Sequence, residues 1–295
     1  MGLMKKVLLI NRKTEIVDKV NQLKTELERS GELQVSTVSF ADINLLIDGE
    51  NSFARIDRIG MDLADFDKVV CITTASFDRL YVFSAFGCYC RKKGVKMLDD
   101  VFSNTRGKLY EMWRLWENDI PVPKTAYGSG IFLGECLVRN FNNIGVLKAV
   151  NGTKGRDNHF VNSPIKIARI VAANPSTDYI LQEYIPSDGD YRIVTLDYQP
   201  YYAAHFSNRK NYWRSTTSNK STKSVIPLDL LKPELLETAV KASRALNRSF
   251  AGVDIITNNE TGQHYVLEVN HTPQIVTGNF TADKITRLRD YLLAD

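Results

Sequence analysis

The stretch from Phe250 to Asn270, "FAGVDIITNNETGQHYVLEVN", constrains this chain more than any other. Two apolar runs, "GVDIIT" and "HYVLEVN", flank the turn-rich "NNETGQ", a pattern that predicts a β-hairpin. Period-two alternation sends Glu268 and Asn270 to one face of the second strand and Leu267 and Val269 to the other. Asp254 lies on the partner strand, so three oxygen-bearing side chains can converge on one sheet face. A buried carboxylate without a counter-charge is costly. The counter-charge can be a nearby Lys or Arg, water, or a metal. No Cys or His at metal spacing accompanies the three, since alternation sends His271 to the opposite face. Hard oxygen ligands of this kind suit Mg2+ or Mn2+ rather than zinc. Such an ion takes one or two carboxylates plus phosphate oxygens, which implies a nucleotide.

Upstream of the hairpin, strand and helix signals alternate. "KKVLLINRK", "LQVSTVSF", "FDKVVCITT" and "VKMLDD" read as strands. Residues 15–30 and 78–93 read as helices, stopped by Gly31 and Gly94. Residues 41–61 carry no assignable period. This alternation predicts a doubly wound parallel α/β domain over residues 1–100. A helix then follows in "SNTRGKLYEMWRLWENDIPVP". Ser103 to Thr105 offer N-caps, Leu109, Met112, Trp113 and Trp116 form its apolar face, and Pro121 and Pro123 end it. Lys108 stands at its start, against the helix dipole, unless an anion lies nearby. In "IGVLKAVNGTKGRDNHFV" a strand through Lys148 enters a polar loop with Gly152, Thr153 and Gly155, and "HFV" resumes the strand. An ordinary β-turn accounts for such a hairpin. Glycines that let backbone N–H groups approach phosphate, with a Lys on the incoming strand, are the alternative, and the hairpin by itself is the weaker signal for it. "DYILQEYIP", "DGDYRIVTLD" and "PYYAAHFS" are further strands, and Pro233 opens a helix with Leu236, Ala239, Val240 and Leu246 on its apolar face.

Composition excludes several classes of protein. With 43% hydrophobic and 24% charged residues the chain is globular. No run fits a signal peptide or membrane span. Cys71, Cys88, Cys90 and Cys136 form neither a disulfide framework nor a CxxC pair, and are read as packing residues in a cytoplasmic protein. The net charge of +4 is mild, but Tyr198 to Leu228 holds no acid beside Arg209, Lys210, Arg214, Lys220 and Lys223. That segment is a solvated basic loop or a local anion site.

Taken in order, Lys108, Lys148 with its glycine hairpin, "LQEYI" and "GVD…EVN" resemble the ATP-grasp superfamily. The closest likeness is to its branch of ribosomal-protein-S6 glutamate ligases and glutathione-synthase-like carboxylate–amine ligases, over about residues 65–280. The resemblance implies an α/β fold in which residues 1–100 precede two α+β grasp subdomains, 101–185 and 186–295. It implies that Lys108 and Lys148 contact the α- and β-phosphates of ATP and that Gly152, Thr153 and Gly155 close over them. Gln182 to Ile185 would form the adenine edge, with Glu183 accepting from the amino group beside the Tyr184 and Ile185 backbone, and Asp190 would hold the ribose. Asp254, Glu268 and Asn270 would bind one or two Mg2+ or Mn2+ ions. Arg192, with Arg214 and Ser215, would face the triphosphate and the reacting carboxylate.

The implied reaction joins a carboxylate to an amine through an acyl phosphate, releasing ADP and phosphate. The amine belongs to an amino acid, a peptide or a protein, and the family's frequent dimers and tetramers leave a homo-oligomer open. A small-molecule kinase on the same scaffold is the alternative enzyme. A single-strand nucleic-acid binder using "YYAAHFSNRKNYWR" is the non-enzymatic alternative, and it leaves the hairpin carboxylates without a purpose. The chain departs from the family at Asp157, where another Gly is usual, at Thr216, where Asn is frequent, and at "HTPQI", where a small residue, Ser, Pro and Gly are common.

Overall fold

In the computed structural model the described residues are 4–11, 17–72, 80–98, 107–150, 157–207, 222–271, 273 and 281–294. The first sheet is parallel, in the order β2-β1-β6-β7, from β1 (Lys5–Asn11), β2 (Leu33–Ser39), β6 (Lys68–Cys71) and β7 (Lys96–Leu98). Helices α1 (Val17–Glu28) and α2 (Leu80–Lys93) make its connections. Val7 to Ile10 are all 0% exposed, as a parallel strand covered on both faces requires. Residues 41–61, unreadable by period, contribute to a small antiparallel sheet of β3 (Asn44–Leu46), β4 (Phe53–Ile56) and β5 (Met61–Asp62). These strands are too short to show alternation. Asp62 ties them together instead, its carboxylate accepting from the N–H groups of Ala54 and Ala64. Cys71, Cys90 and Cys136 are buried free thiols, whereas Cys88 is exposed, which corrects its reading as a packing residue.

Helix α3 (Lys108–Trp116) leads into a second sheet, in the order β10-β9-β11-β8. Its strands are β8 (Thr125–Tyr127), β9 (Gly145–Ala149), β10 (Asn158–Val161) and β11 (Tyr179–Glu183), with α4 (Gly130–Asn140) and α5 (Pro164–Ala173) packed together beside them. The buried face of α3 differs from expectation. Met112 and Leu115 are buried, while Trp113 and Trp116 are each 60% exposed and lean on one another at 5.2 Å between ring centroids. The indole rings extend the apolar stripe in sequence, but only Met112 and Leu115 enter the core that α3 shares with the third sheet and α6. Ser103 to Thr105, the expected N-caps, lie outside the described residues. The residue at the N-cap position is Gly107, with φ of 90°.

The third sheet is antiparallel, in the order β14-β13-β12-β15-β16. It comprises β12 (Gly189–Leu196), β13 (Gln199–Ser207), β14 (Thr222–Ile226), β15 (Phe250–Thr257) and β16 (His264–His271), with α6 (Pro233–Ala245) after β14. Pro233 opens α6 as predicted, but Leu235, Ala239 and Ala242 form its buried line, and Leu236 is only partly buried. One face of the sheet buries Ile193, Val253, Ile255, Val266 and Val269 against α6 and α3. At one end of the other face, Val194, Leu196, Tyr202 and Phe250 share a core with Val7, Leu9 and Leu23 of the first sheet and α1.

The closing helix α7 (Thr281–Leu293) joins these parts, placing Leu288 and Leu292, both 0% exposed, in that shared core. Its C-terminal carbonyls are met by cations from the first sheet. Lys5 Nζ donates to Leu293 and Ala294, and the buried Lys68 donates to Tyr291 at 2.7 Å and to Ala294. A cation at the carbonyl end of a helix satisfies both its dipole and its open acceptors. Among the described residues no helix is long and apolar enough to cross a membrane. Replacing Lys68 with Met is expected to lower unfolding free energy by about 1–3 kcal/mol, read from the urea midpoint.

Candidate active site

The predicted convergence of acids is present, in one row across three strands. Arg192 pairs with Asp254, and Asp254 pairs with Glu268. Two positions along, Gly252 pairs with Asn270. The register shifts after Asp254, so that Ile255 faces Val266 and Leu267 is the extra residue of a bulge. This corrects the alternation read from the sequence. Val266 and Val269 both lie in the core, and Leu267 is only partly buried. A Cβ at Gly252 would make ordinary contact with Pro273, Arg192 and Asn270 at 3.4–3.9 Å, so these side chains close around that end of the row.

The two carboxylates find different solutions to burial. Asp254, 3% exposed, is held by both arms of Arg192, with Nε and Nη2 each at 2.7 Å from a different oxygen. Its charge and hydrogen bonds hold the Arg192 guanidinium above the usual arginine range. The Asn270 amide also donates to Asp254, at 3.3 Å, leaving its carbonyl oxygen for another partner. Glu268 makes no hydrogen bond or ion pair among the described residues. Burial, then the charges of Asp254 and Glu111, push its carboxyl up to about 7.

Facing this row are the two predicted lysines. Lys148 lies on β9, opposite Asn158 on one side and Ile180 on the other. Burial pushes its ammonium down to about 8, with Lys108 pushing in the same direction. Glu268, Asp190 and Asp254 pull the other way. Lys108 is the first residue of α3, and its N–H donates at 3.2 Å to the carbonyl of Val150, just beyond β9. The two lysines therefore share a cleft with Glu268, Asp190 and the Arg192–Asp254 pair. Asp190, 1% exposed, lies on the same face of β12 as Arg192.

The expected adenine edge is built as a strand end. Gln182, 2% exposed, donates to the Thr125 hydroxyl at 3.0 Å. Glu183 Oε1 accepts the Lys124 N–H at 2.8 Å, so its carboxylate braces the crossing between β8 and β11. Tyr184 meets Phe160 edge-on at 5.6 Å, and Ile185 is buried. Gly152, Thr153, Gly155, Arg214 and Ser215 lie outside the described residues. A cavity of about 480 Å3 between α4 and α5, lined by apolar residues such as Ile131 and Ile165, shares no residue with this face. Sequence reasoning passed over Glu111 and Arg248, which form an ion pair at 2.9 Å beneath the row. Their separation in the chain gives no local signal of the contact.

The donor set fits a divalent cation that also binds phosphate. Among the described residues no three His, Cys, Asp or Glu side chains form a complete metal cage. Asp254 is engaged by Arg192, which leaves Glu268 and the Asn270 carbonyl as the ready donors. Mg2+ takes one or two protein oxygens, phosphate oxygens and waters, so an incomplete protein cage suits it. The raised Glu268 carboxyl reflects burial beside the like charges of Asp254 and Glu111, and a divalent cation bound there would oppose that shift. In EDTA, a group with a folded pKa near 7 instead of 4.5 stabilises the fold below 4.5, and that stabilisation is lost as pH rises through 7. Stability of the metal-free protein should fall across this window by up to about 1.4 kcal/mol per pH unit. Glu268→Gln should flatten the slope in thermal melts from pH 5 to 8. Asp254→Asn should instead lower stability at pH 7 by about 1.5–3 kcal/mol, because it breaks the fork to Arg192.

Comparison with known proteins places the chain in a family. The RimK-like ATP-grasp domain family matches residues 105–286. A "probable alpha-L-glutamate ligase" of Cellvibrio japonicus (strain Ueda107) is 21% identical over 278 residues, covering 91% of this chain and 88% of that protein. The solved structure of the ATP-grasp ligase PsnB, complexed with a phosphomimetic variant of its minimal precursor, Mg and ADP, gives a TM-score of 0.71 at 15% identity and covers 99% of both chains. The macrocyclase MdnC from Microcystis aeruginosa MRC, bound with precursor peptide MdnA, gives 0.68 at 11%, covering 98% of this chain and 100% of MdnC. The solved structures share the fold, and the family match spans well over half of the chain. With the family matched over residues 105–286, this chain is a member of the RimK-like ATP-grasp family of carboxylate–amine ligases.

Proposed function

We propose that this ligase joins an amino acid such as glutamate, or a carboxylate of a peptide, to an amine, with a peptide or protein as one partner. The observation that carries the reading is the row Arg192–Asp254–Glu268 facing Lys148 and Lys108. A carboxylate is a poor acyl donor. Its oxygen attacks the γ-phosphorus, the bond to the β-phosphate oxygen breaks, and ADP leaves. The amine then attacks the acyl carbon, the C–O bond to phosphate breaks, and the amine proton passes to solvent or phosphate. No protein nucleophile is required, in keeping with a cleft built of charges.

Each residue has a place in that sequence. Lys108 and Lys148 neutralise phosphate oxygens, and positioning with charge neutralisation supplies most of what phosphoryl transfer needs. Glu268 and Asn270, with Asp254 behind them, would hold Mg2+, which when bound supplies Lewis-acid stabilisation of the phosphates. Arg192 orients Asp254 and presents its positive charge toward the reacting carboxylate. Gln182 to Ile185 would form the adenine wall and Asp190 the ribose contact. Gly152, Thr153 and Gly155, with Arg214 and Ser215, would close the site and keep the acyl phosphate from water. The peptide partner is supported by the relatives whose structures hold precursor peptides.

The test is turnover with Mg·ATP, glutamate and a panel of peptides, following ADP, phosphate and product mass. Amide product with one phosphate released per ADP is expected. A phosphorylated product without free phosphate would overturn the proposal in favour of a kinase. Lys148→Met should lower kcat by about 10²–10³-fold while leaving the melting temperature near that of the parent.

A further inference from the structure

The most deeply buried ion pair among the described residues is not one of the groups assigned to ATP. Arg248, 1% exposed, sits on the turn between α6 and β15. Its guanidinium donates to the main-chain carbonyl of Val269 and, at 2.9 Å, to Glu111 Oε1. Val269 is the residue between Glu268 and Asn270, and Glu111 lies one helical turn from Lys108 on α3. The planar fork of an arginine holds two acceptors at a set angle to each other. The contact therefore links the helix that begins at Lys108 to the backbone that carries Glu268 and Asn270.

Stability alone does not account for this placement. The surrounding core is apolar, with Met112, Leu115, Val266 and Val269, and apolar residues of similar volume serve such a core as well as a buried ion pair does. The second carboxylate oxygen of Glu111 is buried without a hydrogen-bond partner. Its charge acts on Glu268, so the helix and the strand are also coupled through space. At its other attachment, α3 is bound to the lysine strand through the Lys108 N–H and the Val150 carbonyl. Helix α3 thus touches both walls of the cleft.

We propose that Glu111 and Arg248 are positioning residues that hold α3 and β16 in one register. Lys108 and the Glu268–Asn270 donors then meet the same nucleotide–cation complex at a set separation. The proposal rests on the assignment of Lys108 to phosphate and of Glu268 and Asn270 to the cation.

Its test uses Mn2+ as the probe, titrated into the full chain with ADP and followed by electron paramagnetic resonance, with thermal melts as the control for folding. The double variant Glu111→Leu/Arg248→Met replaces the pair with apolar side chains. It should bind Mn2+ roughly ten- to hundredfold more weakly, the range seen when groups that orient metal ligands are removed. Glu111→Gln, which keeps an acceptor for Arg248, should lose at least about fivefold less. Unchanged affinity in the double variant overturns the proposal. So do equal losses in the two variants, because Glu111 would then act through charge and not through position. If the double variant does not fold, Arg248→Lys decides: a weaker Mn2+ signal supports the role and an unchanged one overturns it. The titration needs no turnover. Loss of Mn2+ binding in these variants, in a parent that forms no amide, would remove the proposed substrates and leave the positioning role intact.

Discussion

Two carboxylates placed opposite one another on neighbouring strands, Asp254 and Glu268, are the constraint around which the site is arranged. Like charges at that distance on a buried face repel, and removal from water penalises both. The fold answers the two acids differently. Asp254 receives the whole fork of Arg192, while Glu268 feels the charges of Lys108, Lys148 and Arg192 without an ion pair among the described residues. One acid is thus ordered by an internal ion pair, and the other is left with its charged form disfavoured. This asymmetry suits a site whose metal arrives with a nucleotide.

The opposite wall has the complementary difficulty. Lys148 is buried beside Lys108, whose charge disfavours the Lys148 ammonium. Under the proposed function, phosphate oxygens between the walls would relieve both sides together, since they would neutralise the lysines and share a cation with Glu268. The cleft is therefore electrostatically incomplete from both directions. Stability comes from elsewhere, from the shared core beneath α7 and from the lysine caps on its last carbonyls. A protein that keeps its strain in the cleft and its packing in the core can bind and release a charged substrate without unfolding.

Much of this was legible in the chain. The parallel sheet of β1, β2, β6 and β7 follows from short apolar runs separated by helical periods. The hairpin of β15 and β16 follows from its turn residues, and Lys148 was correctly placed on a strand. The misread features share one physical cause. Trp113 and Trp116 lie on the sequence's apolar stripe, but which part of a stripe is covered depends on the shape of the sheet beneath it. Leu267 was assigned by alternation, and a single bulged residue, selected by the needs of the register at Asp254, ended that alternation. Helices α4 and α5 carry apolar residues on several sides, Ile131 and Ile165 remaining exposed, so no single period stands out.

The chain by itself determined which groups are available: acids at residues 254 and 268, an amide at 270, lysines at 108 and 148, and their order along the sequence. Residue type and local alternation carry that information, because both act over a few residues. Tertiary structure alone decided which cation meets which acid. Arg192 reaches Asp254 across 62 residues and Arg248 reaches Glu111 across 137. Electrostatic partners at such separations are set by strand register and helix placement, which the whole core fixes cooperatively. No local pattern records them.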